Sequence, residues 1–373
     1  MCIFYIVWNP NPIFLKIGEI SVLWYSFLFA SGFIISRFVI FSIYRAEGRV
    51  RNNLDYLLLY IILGTVIGAR MGHVVFYEPF KYFNNPVSIL KIWEGGLSSH
   101  GCALGILVAI YFYVYKLEFS TKKVRITKHN RQGHSWLQIV DRIAIVVALG
   151  SIFIRIGNFM NSEMIGKPTK SNYGVIFVGA KTQQVKDRIP TIHSISVINE
   201  NQYIENNDPL LTLEIKLKEH IVNKDIAESI FKKNIKPLLL KKQKLPNLIA
   251  SENIPIEIKK SKQGYLGHFK MKGIIRHPSQ LYEAGICVIT FLILIAIWKK
   301  RKEHTPSGLI WGIFLLAIFG SRILQELVKE NNVVFGDDLL LNQGQYLSFP
   351  FVLLGLFLIA RIIIKKPKIN QFK

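Results

Sequence analysis

Long apolar runs are the feature of this sequence that most restricts the fold it can adopt. Seven runs approach the length of roughly 20 residues that a helix needs to cross a bilayer. They are residues 21–44, 56–77, 101–115, 138–159, 280–298, 308–327 and 347–364, of which the third is short and is expected to begin inside the preceding glycine-rich stretch. Because backbone polar groups in lipid must be satisfied within their own segment, we expect helices. The sequence therefore predicts an all-α polytopic membrane protein with seven transmembrane helices.

Composition and charge agree with this interpretation. Half of the residues are hydrophobic, and the mean hydropathy of +0.30 is high for a soluble protein. A net charge of +23 would suggest nucleic-acid binding in a soluble protein. Here most basic clusters lie between apolar runs, where they indicate membrane topology and contact with anionic lipid, so no nucleic-acid partner is expected. The three cysteines are scattered, and a disulfide framework is not expected.

The basic clusters fall on alternate loops. They follow the first, third, fifth and seventh runs, at residues 45–51, 122–131, 299–302 and 365–368. Because Lys and Arg are enriched in short cytoplasmic loops, these loops are predicted to be cytoplasmic. The N-terminus is then outside and the C-terminus is in the cytoplasm. The long segment between the fourth and fifth runs faces outward.

That long segment is predicted to form a small α+β extracytoplasmic insertion. Residues 212–218 and 254–259 alternate apolar and polar side chains, as half-buried strands do, and residues 225–233 suit a short helix. Long loops are translocated largely regardless of charge, so its lysines do not oppose an outer location. The predicted domains are residues 1–166 with helices 1–4, the insertion at 167–271, and residues 272–373 with helices 5–7 and a basic cytoplasmic tail.

Several charged side chains are embedded in the apolar runs or lie close to them. A charged residue at mid-membrane costs about 2.5–3.5 kcal/mol on insertion scales, so such groups normally face a cavity or a partner. The embedded residues are Arg70, Arg142, Arg155, Arg322 and Glu326. Arg322 and Glu326 are four residues apart, and an ion pair within one helix would also explain them.

The densest polar group closes the fourth run. Arg155, Asn158 and Asn161 recur at three-residue steps and share one helical face near its outer end, with Glu163 and Gly166 following. A guanidinium and two carboxamides supply many hydrogen-bond donors, which suits a phosphodiester. This pattern alone leaves an alternative equally open. The arginine would extend to lipid headgroups, and the asparagines would simply end the helix.

Two further polar groups lie at the same predicted membrane level. One opens the fifth run and comprises Arg276, His277, Gln280, Tyr282 and Glu283. Helix capping and an interfacial aromatic belt explain about half of this group without any function. The other, residues 93–101, contains His100 among glycines whose exposed amides could bind an anion. A lone histidine is more often structural, but this one shares its level with the arginines.

Cations, a histidine and carboxylates that face one lipid leaflet together predict chemistry on a lipid headgroup. No spacing of His, Cys or carboxylates suggests a metal, and the sequence contains no serine elbow or phosphate loop, so no metal and no cofactor are expected. The main alternative is a lipid or solute transporter that uses the same outer cavity, although transporters usually carry paired repeats. A structural scaffold would not need this many embedded charges. A different phospholipid-headgroup enzyme is an alternative that these residues alone leave open.

The same residues resemble the motifs of the bacterial phosphatidylglycerol–prolipoprotein diacylglyceryl transferases. The resemblance covers nearly the whole membrane part, and its most specific piece is residues 155–163 with Gly166. The other matching pieces, in the same order, are residues 23–25, 68–70, 76–77, 93–96, 99–101 and 276–283, and Arg322 with Glu326. Several motifs in one order are far more specific than any of them alone.

The resemblance implies a seven-helix fold in the bacterial inner membrane, with phosphatidylglycerol as donor and the lipobox cysteine of a prolipoprotein signal peptide as acceptor. The products would be a thioether-linked precursor and glycerol phosphate. We expect three catalytic residues, His100, Arg155 and Arg322. The expected substrate-binding residues are Tyr25, Arg70, Asn158, Asn161, Glu163, Gly166, Arg276, Gln280, Tyr282, Glu283 and Glu326. The arginines would neutralise phosphate, His100 would accept the thiol proton, and Glu163 and Glu326 would orient the arginines or bind the glycerol hydroxyls.

Overall fold

A computed structural model describes most of the chain. The described residues are 4–18, 20–49, 51–91, 96, 98–120, 123–128, 135–169, 171, 173–204, 208–240, 247–249, 256–261, 264–329 and 343–364. Parts of the predicted features lie outside the described residues, namely Trp93, Glu94, Gly95, Leu97, Lys122, Arg131, Lys365, Lys366, Lys368 and the start of the predicted strand at 254–255.

The long apolar runs form helices. The α-helices are α1 (Trp24–Ala46), α2 (Arg51–Phe76), α3 (Pro79–Asn84), α4 (Ser99–Val114), α5 (Trp136–Met160), α6 (Gly179–Arg188), α7 (Lys224–Ser229), α8 (Lys236–Leu240), α9 (Ser279–Arg301), α10 (Leu309–Gln325) and α11 (Gln343–Ile364). Short 3-10 segments occupy Pro86–Leu90 and Lys302–His304, and a π-helical turn, Ile230–Ile235, joins α7 to α8.

Five of these helices are long and apolar enough to cross a membrane by length and composition, namely α1, α2, α5, α9 and α11. The apolar helices α4 and α10 are shorter, with 16 and 17 residues. Each of these helices overlaps one of the predicted apolar runs, and α4 begins inside the glycine-rich stretch as predicted. The prediction of a multi-pass membrane protein built mainly from helices is therefore confirmed.

Strands also form, several of them where the sequence predicted none. They are β1 (Phe4–Trp8), β2 (Ile13–Ile17), β3 (Ile20–Leu23), β4 (Tyr115–Ser120), β5 (Lys123–Lys128), β6 (Tyr173–Phe177), β7 (Ile192–Ile204), β8 (Asp208–Leu217), β9 (Leu248–Ile249), β10 (Glu257–Ser261) and β11 (Gly264–Gly273). β1 pairs in parallel with β6, while β2–β3 and β4–β5 are antiparallel hairpins. The all-α description is therefore too narrow outside the apolar helices.

The insertion contains the sheet that the alternating pattern predicted. Its five strands run in the order β10–β11–β8–β7, with β9 pairing to β11. The inward side chains of β8, from Leu211 to Leu217, share one buried core with Phe231 and Ile235 of the π-helical turn. Polar residues alternate with them along the strand, which is the pattern of a sheet covered on one face. The predicted helix at 225–233 corresponds to α7 and this turn.

The chain forms two compact units, each assembled from three separate stretches. The first unit comprises residues 1–31, 152–285 and 322–345, and the second comprises residues 32–151, 286–321 and 346–373. The first unit therefore holds the insertion, the end of α5 and the beginning of α9. The second unit holds α2, α4 and most of the apolar helices.

In the second unit, α2 and α4 pack with their backbones in direct contact. Gly64, Gly68 and Gly72 of α2 face Gly101 and Gly105 of α4. A Cβ atom added to Gly105 would clash with the carbonyl oxygen of Gly64, and one added to Gly101 would clash with that of Gly68. Small residues at this spacing let transmembrane helices approach closely. The contacts fix α4 against α2.

Arg142, one of the embedded charges, has a buried partner in the second unit. Its Nη2 atom lies 2.9 Å from Oε1 of Glu47, and both side chains are fully buried. Arg49 forms a second ion pair with Glu47, and the indole of Trp298 donates to it at 2.7 Å. Removing one member of such a cluster would leave an uncompensated buried charge. The position of Arg142 thus has a structural explanation.

Candidate active site

The signature residues lie at the end of α5, in the first unit. Arg155 and Asn158 occupy its last two turns, and Asn161 follows directly after Met160. Tyr25, in the first turn of α1, packs on this part of α5, because a Cβ atom added to Gly157 would lie 2.8 Å from its ring carbon Cδ2. The structure therefore brings Tyr25 next to the signature residues.

Five charged side chains form a continuous row in this unit. Nε of Arg155 lies 2.6 Å from Oε2 of Glu283, and Oε1 of Glu283 lies 3.9 Å from Nζ of Lys329. Nζ of Lys329 lies 3.8 Å from Oε1 of Glu326, and that oxygen lies 3.9 Å from Nε of Arg322. The signs alternate, so the row has one positive charge in excess. This excess matches the single negative charge of a phosphodiester.

The ion-pair partner of Arg155 differs from the one that the sequence suggested. Glu163 was expected to orient an arginine, but its side chain is exposed and its Oε1 atom accepts a 3.2 Å hydrogen bond from Nδ2 of Asn161. Glu283, which belongs to the first turns of α9, pairs with Arg155 instead. No local pattern connects these two residues, because they lie on different helices far apart in the chain.

Lys329 is the member of the row that sequence reasoning missed. It is buried, and burial lowers its pKa, while the carboxylates of Glu283 and Glu326 act in the opposite direction. It follows Glu326 at the i, i+3 spacing, just past the end of α10. Residues at this spacing are neighbours on a helical surface, and that continuation of the Arg322–Glu326 pattern is the signal that could have identified it.

The turn after α5 contains two residues with strained backbone. Ser162 and Met164 both have φ of 54°, in the left-handed region that non-glycine residues seldom adopt. Ser279 Oγ donates a 2.6 Å hydrogen bond to the carbonyl of Met164, and Gln280 Nε2 donates to the carbonyl of Glu163. The first turn of α9 therefore holds the turn after α5 in its strained shape.

Gly166 and Arg276 fasten the end of this turn to the segment before α9. Nη1 of Arg276 donates to the carbonyl of Gly166 at 3.0 Å, and the N–H of Gly166 donates to the carbonyl of His277 at 3.1 Å. A Cβ atom at Gly166 would lie 2.5 Å from that His277 oxygen, so a larger residue does not fit without movement. Arg276 is only 2% exposed. Both residues thus contact the backbone of the signature turn.

Tyr282 lies on the exposed side of the same segment. Its hydroxyl is 3.3 Å from Nδ1 of His277. Partial burial lowers the pKa of His277, which favours the neutral imidazole. The pair offers hydrogen-bonding groups at the surface without adding charge to the site.

Arg70 belongs to the second unit, where it is buried near the end of α2. Its Nε atom donates to the carbonyl of Ile89 at 2.8 Å, and Nη1 donates to the carbonyl of Gly96 at 3.2 Å. Nη2 donates to the carbonyls of Ser88 and Lys91. These contacts organise the segment that leads into α4.

His100 lies in the first turn of α4 in the second unit, with a partly exposed side chain. Ser98 caps this helix, because its Oγ atom accepts a 3.3 Å hydrogen bond from the N–H of Gly101. The cap and the glycine contacts with α2 give the backbone of His100 a defined position. That the imidazole lies level with the arginines of the charged row stays a prediction.

The helices and the row define a multi-pass membrane protein with a net cationic site in its first unit. Among the residues that the structure describes, no group of three or more His, Cys, Asp or Glu side chains is placed to hold a metal ion. The sequence matches the model of the family described as prolipoprotein diacylglyceryl transferase over residues 12–361. The chain therefore belongs to that family, and the resemblance of its motifs is confirmed.

Three relatives are each named phosphatidylglycerol–prolipoprotein diacylglyceryl transferase. The protein of Tolumonas auensis is 32% identical over 94% of this chain and 95% of its own length. That of Chloroherpeton thalassium is 29% identical over 96% of this chain and 95% of its own length. That of Rickettsia bellii is 28% identical, with 95% coverage of both chains. The similarity thus extends across the insertion as well as the apolar helices.

Proposed function

We propose that this protein transfers the sn-1,2-diacylglyceryl group of phosphatidylglycerol to the thiol of the lipobox cysteine in a prolipoprotein signal peptide. The products are a thioether-linked precursor and glycerol phosphate. This is the first step of bacterial lipoprotein maturation, at the inner membrane. The observation that carries the proposal is the charged row beginning at Arg155, in a chain whose family and relatives are named for this reaction.

The reaction forms one bond and breaks another at the same carbon. The substrate thiolate attacks the glyceryl carbon that bears the phosphate, so a sulfur–carbon bond forms and the carbon–oxygen bond to the phosphate breaks. The electron pair of that bond leaves with glycerol phosphate. The protein contributes no nucleophile. It has to accept the thiol proton and neutralise the leaving phosphate.

Arg155 and Arg322 are assigned to the phosphate. Guanidinium groups donate paired hydrogen bonds to phosphate oxygens, and fixed cations act most strongly where water is excluded. Glu283 and Glu326 hold the two arginines through contacts of 2.6 Å and 3.9 Å. Lys329 lies between these carboxylates and maintains the positive excess of the row. Nearby cations also lower the pKa of a thiol, which helps the substrate to ionise.

His100 is assigned to the thiol proton. An unperturbed imidazole has a pKa of about 6.5, so its neutral form is available as a base at neutral pH. The proton of the thiol is then held on the imidazolium. The first turn of α4 is capped and α4 packs against α2, so the backbone from which the His100 side chain extends is held in place. This supports the role.

The other predicted binding residues divide by exposure. Three partly or fully exposed ones are assigned to the glycerol headgroup: Asn161, Glu163 and Tyr282. The buried ones, whose contacts are with backbone, are assigned to positioning: Arg70, Gly166, Arg276 and Gln280. Tyr25 and Asn158 flank Arg155 and are assigned to orienting the phosphate beside it.

The proposed topology has seven membrane spans, the N-terminus and the insertion outside, and the C-terminus in the cytoplasm. Basic residues in the last turns of odd-numbered spans support it. The last turn of α1 contains Arg45, and that of α9 contains Lys299, Lys300 and Arg301. Positive charge of this kind marks the cytoplasmic side of a membrane helix. The charged row then serves lipid of the outer leaflet.

Cysteine labelling tests this topology. In a variant without the native cysteines, Lys224→Cys on the insertion and His304→Cys after α9 place thiols where the native side chains are 70% and 85% exposed. In intact spheroplasts, an impermeant maleimide is expected to label the thiol at 224 and not the thiol at 304. Permeabilised cells provide the control, because both thiols should then react. Labelling of position 304 alone in intact spheroplasts would contradict the proposed orientation.

The transfer itself is tested with purified protein in phosphatidylglycerol nanodiscs and a synthetic lipobox peptide. We expect mass spectrometry to show that the mass of the peptide increases by one diacylglyceryl group on its cysteine. Glycerol phosphate should be released. A peptide with serine in place of cysteine and nanodiscs of phosphatidylcholine alone are the controls. Absence of the thioether with fully folded protein would exclude the proposed function.

A further inference from the structure

The sulfur of Met164 lies against two hydrogen-bond donors of the candidate site. The Sδ atom of Met164 lies 3.5 Å from Nη1 of Arg155 and 3.5 Å from Nδ2 of Asn158. A thioether sulfur is only a weak hydrogen-bond acceptor. By contrast, Nε of the same arginine lies 2.6 Å from the carboxylate of Glu283. One side of the guanidinium is thus firmly anchored, and the other is oriented without being strongly bound.

The backbone at Met164 is strained. Its φ of 54° is readily available to glycine, whereas another residue there costs on the order of 1–3 kcal/mol. The hydrogen bond from Ser279 to its carbonyl holds it in this conformation. Glycine would suit this backbone better. At Met164 this strained backbone coincides with a sulfur that lies against two hydrogen-bond donors.

We infer that Met164 is a positioning residue. Its sulfur holds Arg155 and Asn158 in the orientation that binds the lipid phosphate, and its side chain moves aside when the phosphate binds. The sulfur accepts from the two donors that a phosphate oxygen would use. Methionine is flexible and polarizable, so its side chain can move when a charged acceptor arrives. Charge-assisted hydrogen bonds to phosphate are much stronger than those to sulfur. The inference rests on the proposed function.

Two substitutions separate this role from simple packing. Met164→Leu keeps the apolar bulk and removes the acceptor, while Met164→Gln keeps the length and supplies a strong amide acceptor. Neither new residue is β-branched, so the backbone strain stays comparable. The glutamine oxygen competes with phosphate, so Met164→Gln is expected to raise KM for phosphatidylglycerol about 10-fold, the equivalent of one ordinary hydrogen bond. Met164→Leu is expected to raise it about 3-fold through lost orientation alone.

The measurement is KM and kcat at saturating lipobox peptide, in nanodiscs where phosphatidylglycerol is diluted with phosphatidylcholine. We expect the KM order Gln above Leu above wild type, with kcat nearly unchanged. Met160→Leu and Met160→Gln are the matched controls, because Met160 is the last residue of α5 and keeps a helical backbone. Both controls should keep the wild-type KM. Equal KM values for the Leu and Gln variants at position 164 would overturn the inference. So would losses of activity that are proportional to the loss of folded protein.

Met164→Gly keeps the inference testable if the larger substitutions disturb folding. Because glycine relieves the strain, this variant should melt no lower than wild type yet still show a raised KM. A wild-type KM in that variant would also overturn the inference. If wild-type protein forms no thioether, the proposed function fails instead. The affinity of the detergent-solubilised protein for phosphatidylglycerol must then still weaken in the order wild type, Met164→Leu, Met164→Gln. Any other order would reject the role of Met164.

Discussion

Arg155→Gln is expected to reduce diacylglyceryl transfer by roughly 10²–10³-fold, the usual effect of removing one donor from a charge-stabilising site. The substitution removes the cation that we assign to the leaving phosphate. It also separates Glu283 from its 2.6 Å partner and leaves it facing Lys329, whose Nζ is 3.9 Å away. Turnover of labelled phosphatidylglycerol with saturating lipobox peptide measures the loss. Size-exclusion chromatography of the same preparations shows whether folded protein is present.

The controls distinguish a lost phosphate contact from a lost ion pair. Arg155→Lys should restore little activity, because a point charge does not reproduce the paired donors of a guanidinium. Arg37→Gln is the matched control, since Arg37 forms an exposed 3.7 Å pair with Asp55 and exposed pairs contribute little. If Arg155→Gln accumulates poorly, the double variant Arg155→Gln/Glu283→Gln removes both charges and should accumulate without activity. Near wild-type turnover in either variant would contradict the assignment.

His100→Gln is expected to lower turnover near neutral pH by roughly 10²–10⁴-fold, the usual contribution of a positioned base. Glutamine keeps a hydrogen-bonding group but cannot accept the proton. The defect should shrink as pH rises, because a free thiol with a pKa near 8.5 then ionises unaided. Single-turnover transfer measured from about pH 6 to about pH 9.5 for both proteins reports this change. Binding of phosphatidylglycerol should stay the same.

His304→Gln is the control for the histidine substitution, because His304 is exposed after the end of α9. Its pH profile should coincide with that of the wild type. A constant ratio between His100→Gln and wild type across the range would exclude the base role. The ionisation of the thiol would then depend on the arginines alone.

The apolar helices were predictable because the bilayer imposes both their length and their backbone hydrogen bonding. The predicted first run at 21–44 differs from α1 by only a few residues, and the predicted seventh run ends where α11 ends, at Ile364. The strands were harder to predict. β1 pairs with β6, so that Phe4 faces Tyr173, and no local pattern in the first ten residues reports a partner that distant.

The sequence predicted which residue types belong to the site and that they lie at one level of the membrane. It did not predict which of them contact each other. The motifs indicated Arg155, Glu283 and Arg322, but not that Glu283 is the partner of Arg155. Lys329 could have been found from its spacing to Glu326, because it continues the Arg322–Glu326 pattern by three residues. The role inferred for Met164 could not have been found, because it depends on a positive φ and on two contacts made across a turn.

The glycine contacts between α2 and α4 also bear on how the chain enters the membrane during synthesis. α4 has 16 residues and spans about 24 Å, which is less than the roughly 30 Å of a hydrocarbon core. α2 has 26 residues and emerges from the ribosome first. Because the glycines let the two backbones come into contact, the short helix α4 can pack on the longer helix α2 as it enters the bilayer. We therefore expect membrane integration of the helix that carries His100 to depend on α2.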